Sequence, residues 1–250
     1  MIQASRGVQY TFFGKVHPER CNVSIPEVRA RVGRTGDEIH GEMRYYVSFS
    51  QVTAIFVSEE PVANIYTLKN YIEDAIRVAL DALGYVLACG YDLEVTEMID
   101  SVGGAPIVFG VGIPAVGKVA EQAGVSFEVI LRLFADSRGA YLQRCLADLR
   151  EAIRAPKDTG FFCYRAIESL RQFFVHEKTA NDDKSSSWEM LRSELGVDRS
   201  EIEFVKTFAS PVRHGDSGVI SDEQRADTFR IAWAIVNKFI NYGNAGYKKT

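Results

Sequence analysis

Apolar and polar side chains alternate along several segments in the first half of the chain. Residues 43–49 alternate apolar with more polar side chains at a period of two, and residues 8–16 and 52–58 are rich in aromatic and β-branched side chains. Both patterns are typical of β-strands. Two further strands are predicted, at 93–98 and at 106–111.

The pattern changes to a helical period between these strands. From Thr67 onward, apolar residues recur at Leu68, Ile72 and Ile76, charged residues occupy the opposite positions, and Gly90 closes the segment. This spacing predicts one long amphipathic helix. Strands, one packed helix and further strands together predict an α+β domain.

Helical spacing dominates the chain after Gly124. Ser126 is placed to cap a short helix, a longer helix runs to a break at 156–160, and another helix follows that break. The polar run 177–187 predicts an exposed loop. Four to six amphipathic helices with short connections predict a helical bundle.

Capping residues predict where two of the later helices begin. Ser186 with Glu189, and Ser221 with Gln224, have the spacing of a capping box, in which each residue satisfies a backbone amide of the other. Pro211 is expected to end the helix between them, because proline lacks an amide hydrogen and its ring crowds the preceding turn.

The fold class expected from these patterns is α+β, with a mixed strand and helix domain over 1–122 followed by an all-α helical bundle over 123–250. The composition agrees with two globular domains. The chain has 250 residues, of which 46% are hydrophobic and 25% are charged, which is enough to bury a core in each domain without disulfides or metals.

The net charge and the cysteine content restrict the binding partners and the cellular compartment that can be expected. The net charge of −4 gives no global attraction for nucleic acid or for anionic membranes, although it leaves a local basic patch open. The apolar stretches are interrupted by charges before they reach a membrane-spanning length. The four cysteines are far apart, and most lie in apolar segments, as reduced thiols do. With no signal segment at the start, a cytoplasmic protein is expected.

A glycine-rich segment, 110–115, has the G-x-G-x-x-A spacing of a dinucleotide-binding turn. That interpretation requires a helix and then a second parallel strand, whereas the segment leads into further helices. The alternative is that small residues let the chain turn tightly between the two domains. We expect no bound cofactor.

The histidines do not have metal-ligand spacing. None of His17, His40, His176 and His214 is paired with another histidine, cysteine or carboxylate at a short helical or turn spacing. The sequence therefore predicts no metal site.

The segment 208–218 concentrates polar chemistry between two predicted helices. It carries Arg213, His214, Asp216 and Ser217 close together. Histidine transfers protons near neutral pH, and arginine stabilises the charge of a phosphate. The alternative is that Arg213 and His214 pair with the carbonyl groups and carboxylates of a helix end.

The helical half resembles the HEPN (higher eukaryotes and prokaryotes nucleotide-binding) domains of toxins, CRISPR accessory ribonucleases and phage-defence effectors. The sequence YRAIESLRQFF at 164–174, the sequence SPVRHG at 210–215 and the long final helix over 222–242 carry the resemblance. It implies a homodimer formed through the C-terminal helices. It also implies metal-independent RNA cleavage, in which the 2′-hydroxyl attacks its own phosphate while histidine moves protons.

The resemblance also implies roles for individual residues. It marks His214 and Arg213 as catalytic, with Tyr164, Arg165, Glu168 and Asp216 as substrate-binding. Active members of that family place the arginine four to six residues before the histidine. In this chain the corresponding positions hold Thr207, Phe208 and Ala209 instead.

A second arginine and histidine pair, Arg171 and His176, does have this spacing. Within one helix, five steps rotate about 140° around the axis, so these two side chains are expected to diverge. We therefore rank this pair second.

Two functions remain open at this point. One is an RNA-binding protein or a metal-independent endoribonuclease acting in bacterial defence or stress. The other is a non-catalytic module that dimerises through the bundle and binds a ligand or a protein partner through its N-terminal domain.

Overall fold

The computed structural model describes residues 7–33, 38–110, 112–117, 119–178, 184–215 and 220–248. The chain divides into two compact units, Met1–Val111 and Gly112–Thr250.

This division lies closer to the N terminus than the predicted boundary between 122 and 123. The reason is that Val116 is buried in the core of the helical unit and Val119 packs against the same core. The linking segment therefore belongs to the helical unit.

The first unit is a six-stranded antiparallel sheet with one long helix on one face, which confirms the predicted α+β class. The strand order is β2-β3-β4-β1-β5-β6. The elements are β1 (Val8–His17), β2 (Ile25–Val32), β3 (Gly41–Ser48), β4 (Gln51–Ser58), α1 (Ile65–Leu87), β5 (Asp92–Asp100) and β6 (Ile107–Val108).

Alternation along the strands builds the core of this unit. Phe12 and Phe56 are fully buried on the sheet face that also meets Leu68, Ile72 and Ile76 of α1. Burying one face of a sheet against the apolar stripe of a helix removes both surfaces from water, which is the main stabilising contribution in such a layer.

The boundaries differ from the sequence prediction in three places. Helix α1 begins before Thr67, because the side chain of Asn64 accepts a hydrogen bond from the amide of Thr67 at 3.0 Å and so caps the helix. The predicted strand at 106–111 is reduced to the two residues of β6. Strand β3 ends at Ser48, because Phe49 and Ser50 take positive φ angles of 49° and 65° and form the tight turn into β4.

The second unit is a helical bundle, as predicted. Its helices are α2 (Val119–Gln122), α3 (Phe127–Ala135), α4 (Gly139–Arg154), α5 (Thr159–Glu177), α6 (Lys184–Leu195), α7 (Arg199–Arg213) and α8 (Asp222–Asn244). Helix α5 is the central one. Ile167, Leu170, Phe173 and Phe174 of this helix are fully buried in a core that also contains Phe229 of α8.

Several predicted helix starts are confirmed by their capping bonds. Ser126 accepts a hydrogen bond from the amide of Val129, and both reciprocal bonds of a capping box are present at Ser221 with Gln224. A second capping box forms between Asp198 and Glu201 at the start of α7.

Two predicted boundaries are wrong. The polar run 177–187 is not a loop throughout, since α6 already begins at Lys184, and Ser186 therefore lies inside this helix rather than at its cap. Pro211 lies inside α7, which continues to Arg213. The buried side chains of Val205 and Ala209 hold this helix in the bundle core despite the hydrogen bond that proline cannot make.

Within the part of the chain that the structure describes, none of the helices combines the length and the apolar character needed to cross a membrane.

Candidate functional site

Helix α5 and the C-terminal end of α7 enclose a groove of about 450 Å³ on the helical unit. Its walls combine aromatic rings with charged side chains. They are formed by Asp158, Phe161, Phe162, Tyr164, Arg165, Glu168, Val212 and Arg213. The groove therefore brings together four of the predicted site residues, namely Arg213, Tyr164, Arg165 and Glu168.

The groove exists because α5 and α7 approach very closely at one end. A Cβ atom built on Gly160 would lie 2.5 Å from the Cβ of Phe208 and 2.8 Å from its backbone carbonyl carbon and oxygen. Real Cβ atoms do not come so close, so only glycine fits this position in α5. This contact fixes how closely α7 packs against α5 near the start of α5.

Arg165 is held in place from two directions. Its Nε donates to Oδ1 of Asp148 on α4 at 2.8 Å, and a second guanidinium nitrogen donates to the same oxygen. The guanidinium carbon also lies 5.0 Å from the ring centroid of Phe162 and 5.5 Å from that of Phe161. The bond to Asp148 raises the pKa of Arg165 above its ordinary value. Arg165 is thus a fixed cation at the edge of an aromatic surface.

Asp148 is the anchor of this arrangement. The residue is buried, and its second carboxylate oxygen accepts a hydrogen bond from the Ser169 hydroxyl at 3.3 Å. A buried carboxylate needs such partners, because the loss of hydration is costly unless hydrogen bonds and an opposite charge replace it.

Tyr164 lies between the groove and α6. Its ring stacks on Trp188 with centroids 6.1 Å apart and an interplanar angle of 24°. Burial raises the pKa of the Tyr164 hydroxyl, and the nearby Glu168 carboxylate raises it further, while Arg171 and Arg213 act in the opposite direction. The hydroxyl is therefore protonated at neutral pH and can donate a hydrogen bond into the groove.

Arg213 is the exposed cation of the groove. It occupies the last turn of α7, and among the described residues it has neither a hydrogen-bond partner nor an ion-pair partner for its side chain. It borders the same groove as the aromatic side chains of α5.

His214 does not share this position. It is the C-cap residue of α7, its amide donates to the carbonyl of Pro211 at 3.0 Å, and Gly215 follows with a φ of +76°. The side chain is exposed, and it is not part of the groove wall in the described structure. This end of α7 has the ordinary form of a helix C terminus, with a cation in the last turn and glycine after the cap. The other two predicted polar residues, Asp216 and Ser217, lie outside the described residues.

The side chains of the second predicted pair, Arg171 and His176, diverge, as their spacing on one helix indicates. Arg171 is only 9% exposed, and its guanidinium carbon lies 5.2 Å from the ring centroid of Trp188 on α6. His176 instead stacks on Tyr141 of α4, with centroids 6.3 Å apart. Because the two side chains contact different helices, they do not form one site.

The glycine-rich segment does not form a dinucleotide-binding turn. All strand pairs in the sheet of the first unit are antiparallel over the described residues, whereas that motif requires two parallel strands joined by a helix. Gly110 has a φ of +78°, a backbone conformation that glycine adopts without strain.

The described residues contain no group of three or more His, Cys, Asp or Glu side chains arranged to hold a metal ion.

Sequence reasoning missed half of the groove wall, namely Asp158, Phe161, Phe162 and Val212. The signal for two of these residues was present. Phe161 and Phe162 precede Arg165 by four and three positions, which is the spacing of neighbours on one helix face. The contribution of Val212 depends on the close approach of two helices that are distant in sequence.

Comparisons with known proteins agree with the two-unit organisation. Residues 10–109 match a family model described as the N-terminal domain of a domain of unknown function, DUF8168, and residues 127–244 match the model of the C-terminal domain of the same family. The search of curated proteins and the search of solved structures found no match to this chain. Since the two domain models match in order and together span most of its length, the chain belongs to the DUF8168 family.

Proposed function

We propose that the helical unit binds single-stranded RNA in the groove between α5 and α7. One observation carries this proposal, namely that Arg213, which has no ion-pair partner among the described residues, borders the same groove as the three aromatic side chains of Phe161, Phe162 and Tyr164. Proteins that bind single strands combine a cation for the phosphate with aromatic side chains on which the bases stack.

The other groove residues extend the same chemistry. Arg165 offers a second cation, although Asp148 already occupies part of its guanidinium. The carboxylates of Asp158 and Glu168 are acceptors for base amino groups and for the ribose 2′-hydroxyl. Because the whole chain has a net charge of −4, binding depends on this local arrangement and not on a general attraction for polyanions.

Cleavage is a separate question from binding. Attack by a 2′-hydroxyl on its own phosphate needs a proton-transfer group within hydrogen-bonding distance of the reacting oxygen atoms. The HEPN resemblance gives this role to His214, which lies next to Arg213 in sequence but outside the groove wall. The function we propose for one copy of the chain is therefore RNA binding.

The binding experiment measures the fluorescence anisotropy of a labelled single-stranded RNA titrated with purified protein. Arg213→Gln is expected to weaken binding about tenfold, because it removes a charge-assisted contact to phosphate. Arg144→Gln is the matched control, since Arg144 is an exposed arginine on α4 that lies outside the groove. If both variants bind as well as the wild type, or if both weaken equally, the groove is not the RNA site.

A second assay separates binding from catalysis. The same RNA is incubated with wild-type protein and with His214→Ala in EDTA, and the products are resolved on a denaturing gel. We expect intact RNA with both proteins. Cleavage by the wild type that is lost in His214→Ala would instead establish the metal-independent ribonuclease. A failure to bind RNA at all would leave the hypothesis of a dimerising interaction module.

A further inference from the structure

Two arginines lie directly opposite each other on the first unit. In the antiparallel pairing of β2 with β3, Arg29 is the register partner of Arg44, and Arg31 is the register partner of Glu42. Residues that are opposite or two positions apart share one face of a sheet. Arg29, Arg31 and Arg44 therefore lie together, and they project from the face that α1 does not cover, because the alternate residues Met43 and Tyr45 are buried.

Placing like charges directly opposite each other in a sheet destabilises it. The acidic neighbours compensate only weakly. Glu27 accepts a hydrogen bond from Nε of Arg29 at 2.9 Å, and Glu42 lies 3.9 Å from Arg31, but these side chains are largely exposed to water. Exposed ion pairs of this kind contribute little to stability. Among the described residues, the Arg44 side chain has no hydrogen bond or ion pair. The arrangement thus costs stability in the unbound protein.

The three arginines also border a depression in the sheet. Its volume is about 540 Å³, and it is formed by Arg29, Ala30, Arg31, Glu42, Met43, Arg44, Ile55 and Val57. This volume lies within the range typical of small-molecule sites. Ile55 and Val57 of β4 give the depression an apolar side next to the cationic one.

We propose that this depression binds a small ligand that carries several phosphate groups, of the chemical class of a nucleoside triphosphate. Guanidinium groups bind phosphate oxygens through paired hydrogen bonds, and three of them match a chain of several phosphates. The apolar side chains of Ile55 and Val57 are placed to contact the uncharged part of the ligand.

This site is independent of the RNA groove, because it lies in the other unit and uses none of the same residues. Its test uses the full chain and isothermal titration calorimetry with three probes, namely inorganic tripolyphosphate, a nucleoside triphosphate and the single-stranded RNA. Arg44→Gln is expected to weaken tripolyphosphate binding at least about tenfold. Arg20→Gln is the matched control, because Arg20 is exposed in the same unit but does not border the depression.

The probes distinguish the sources of the phosphate groups. Tighter binding of the nucleoside triphosphate than of tripolyphosphate supports a nucleotide whose uncharged part contacts Ile55 and Val57, and equal binding supports recognition of the polyphosphate alone. The proposal would be overturned if neither small probe bound and Arg44→Gln weakened the binding of RNA. Equal losses in Arg44→Gln and Arg20→Gln would overturn it as well.

A stability measurement provides a second readout. Because Arg44→Gln removes one of two opposed like charges, the unliganded variant is expected to have a midpoint of thermal unfolding at or above that of the wild type. If Arg44 has only a structural role, the variant melts below the wild type and its loss of ligand binding follows from unfolding. That result would contradict the proposed site.

Discussion

Gly160 of α5 lies against Phe208 of α7 so closely that a Cβ atom on the glycine would be 2.5 Å from the Cβ of Phe208. Gly160→Ala must therefore push the two helices apart. We expect a loss of about 1–3 kcal/mol in the free energy of unfolding, as is typical of overpacking, together with weaker RNA binding, since both helices form the groove. Urea denaturation and RNA anisotropy measure the two effects.

The control for this prediction is Gly117→Ala in the same unit. A Cβ atom at Gly117 would have its nearest contact at 3.8 Å, with the carbonyl oxygen of Ile113, which is an ordinary van der Waals distance. This variant is expected to remain within about 0.5 kcal/mol of the wild type. Equal stabilities for the two alanine variants would show that α5 and α7 are not packed as described.

The elements that the sequence predicted well are those with long and regular periodicity. Helices α1 and α8 each have a continuous apolar stripe and residues that cap their first turn, so local sequence and tertiary packing agree. Strand β2 was not predicted from the sequence, and the structure shows why. The register between β2 and β3 shifts between Ile25 and Val28, so Ile25 is out of phase with the apolar residues that follow it. The alternation of apolar residues with exposed arginines therefore covers only 28–32, which is too short for a clear strand signal.

Only part of the candidate site could be predicted, because the rest depends on packing between helices. Arg213 and Tyr164 could be chosen from their residue types and from the family resemblance, and they do border one groove. The direction of His214 could not be predicted, because it depends on α7 continuing through Pro211 and ending at Arg213. The packing of α7 against α5 outweighs the tendency of Pro211 to end the helix. The sequence around Pro211 does not show this.

The contact between Arg165 and Asp148 is predicted to be a stability determinant as well as part of the groove. Arg165→Met would leave the buried carboxylate of Asp148 with only the Ser169 hydroxyl as a partner. We expect a loss of about 1–2 kcal/mol, which is below the value for a fully buried pair because the arginine side chain is half exposed. Chemical denaturation gives this value.

A double variant distinguishes the loss of a favourable pair from the exposure of an unpaired charge. Combining Arg165→Met with Asp148→Leu removes both charges, and it is expected to recover most of the stability lost in Arg165→Met. If the double variant instead loses as much stability as Arg165→Met and Asp148→Leu lose together when measured separately, the Asp148 carboxylate does not depend on Arg165.

The Asp136 carboxylate gives the helical unit a pH dependence of defined sign. Hydrogen bonds from the Arg138 side chain, and next from its backbone amide, lower the pKa of Asp136 to about 2. A carboxylate whose pKa is lower in the folded state stabilises the protein at pH values above its ordinary pKa. That contribution is lost as the pH falls through the folded value. Asp136→Asn should therefore melt below the wild type at neutral pH, and the difference should shrink as the pH falls from about 4 toward 2.

Arg138→Gln provides the matching test, because it removes the side-chain donor that is the main cause of this pKa shift. In that background, replacing Asp136 by Asn should change the melting temperature less, and with a weaker pH dependence. Thermal melts of the four proteins over this pH range give the comparison. If the difference in melting temperature between the wild type and Asp136→Asn stays constant with pH, the charge of Asp136 is not its source.

The two buried cysteines should be less reactive than the exposed Cys21. Cys145 and Cys163 are fully buried, and burial raises the pKa of Cys163 to about 12 and that of Cys145 well above its ordinary value. Since the thiolate is the reactive form, both residues should resist alkylation until the helical unit unfolds. Cys21 is exposed and should be alkylated in the native protein. Iodoacetamide labelling with and without denaturant, followed by peptide mass spectrometry, measures this. Native labelling of Cys163 at the rate of Cys21 would mean that α5 does not occupy the centre of the bundle, and the groove along it would have to be reconsidered.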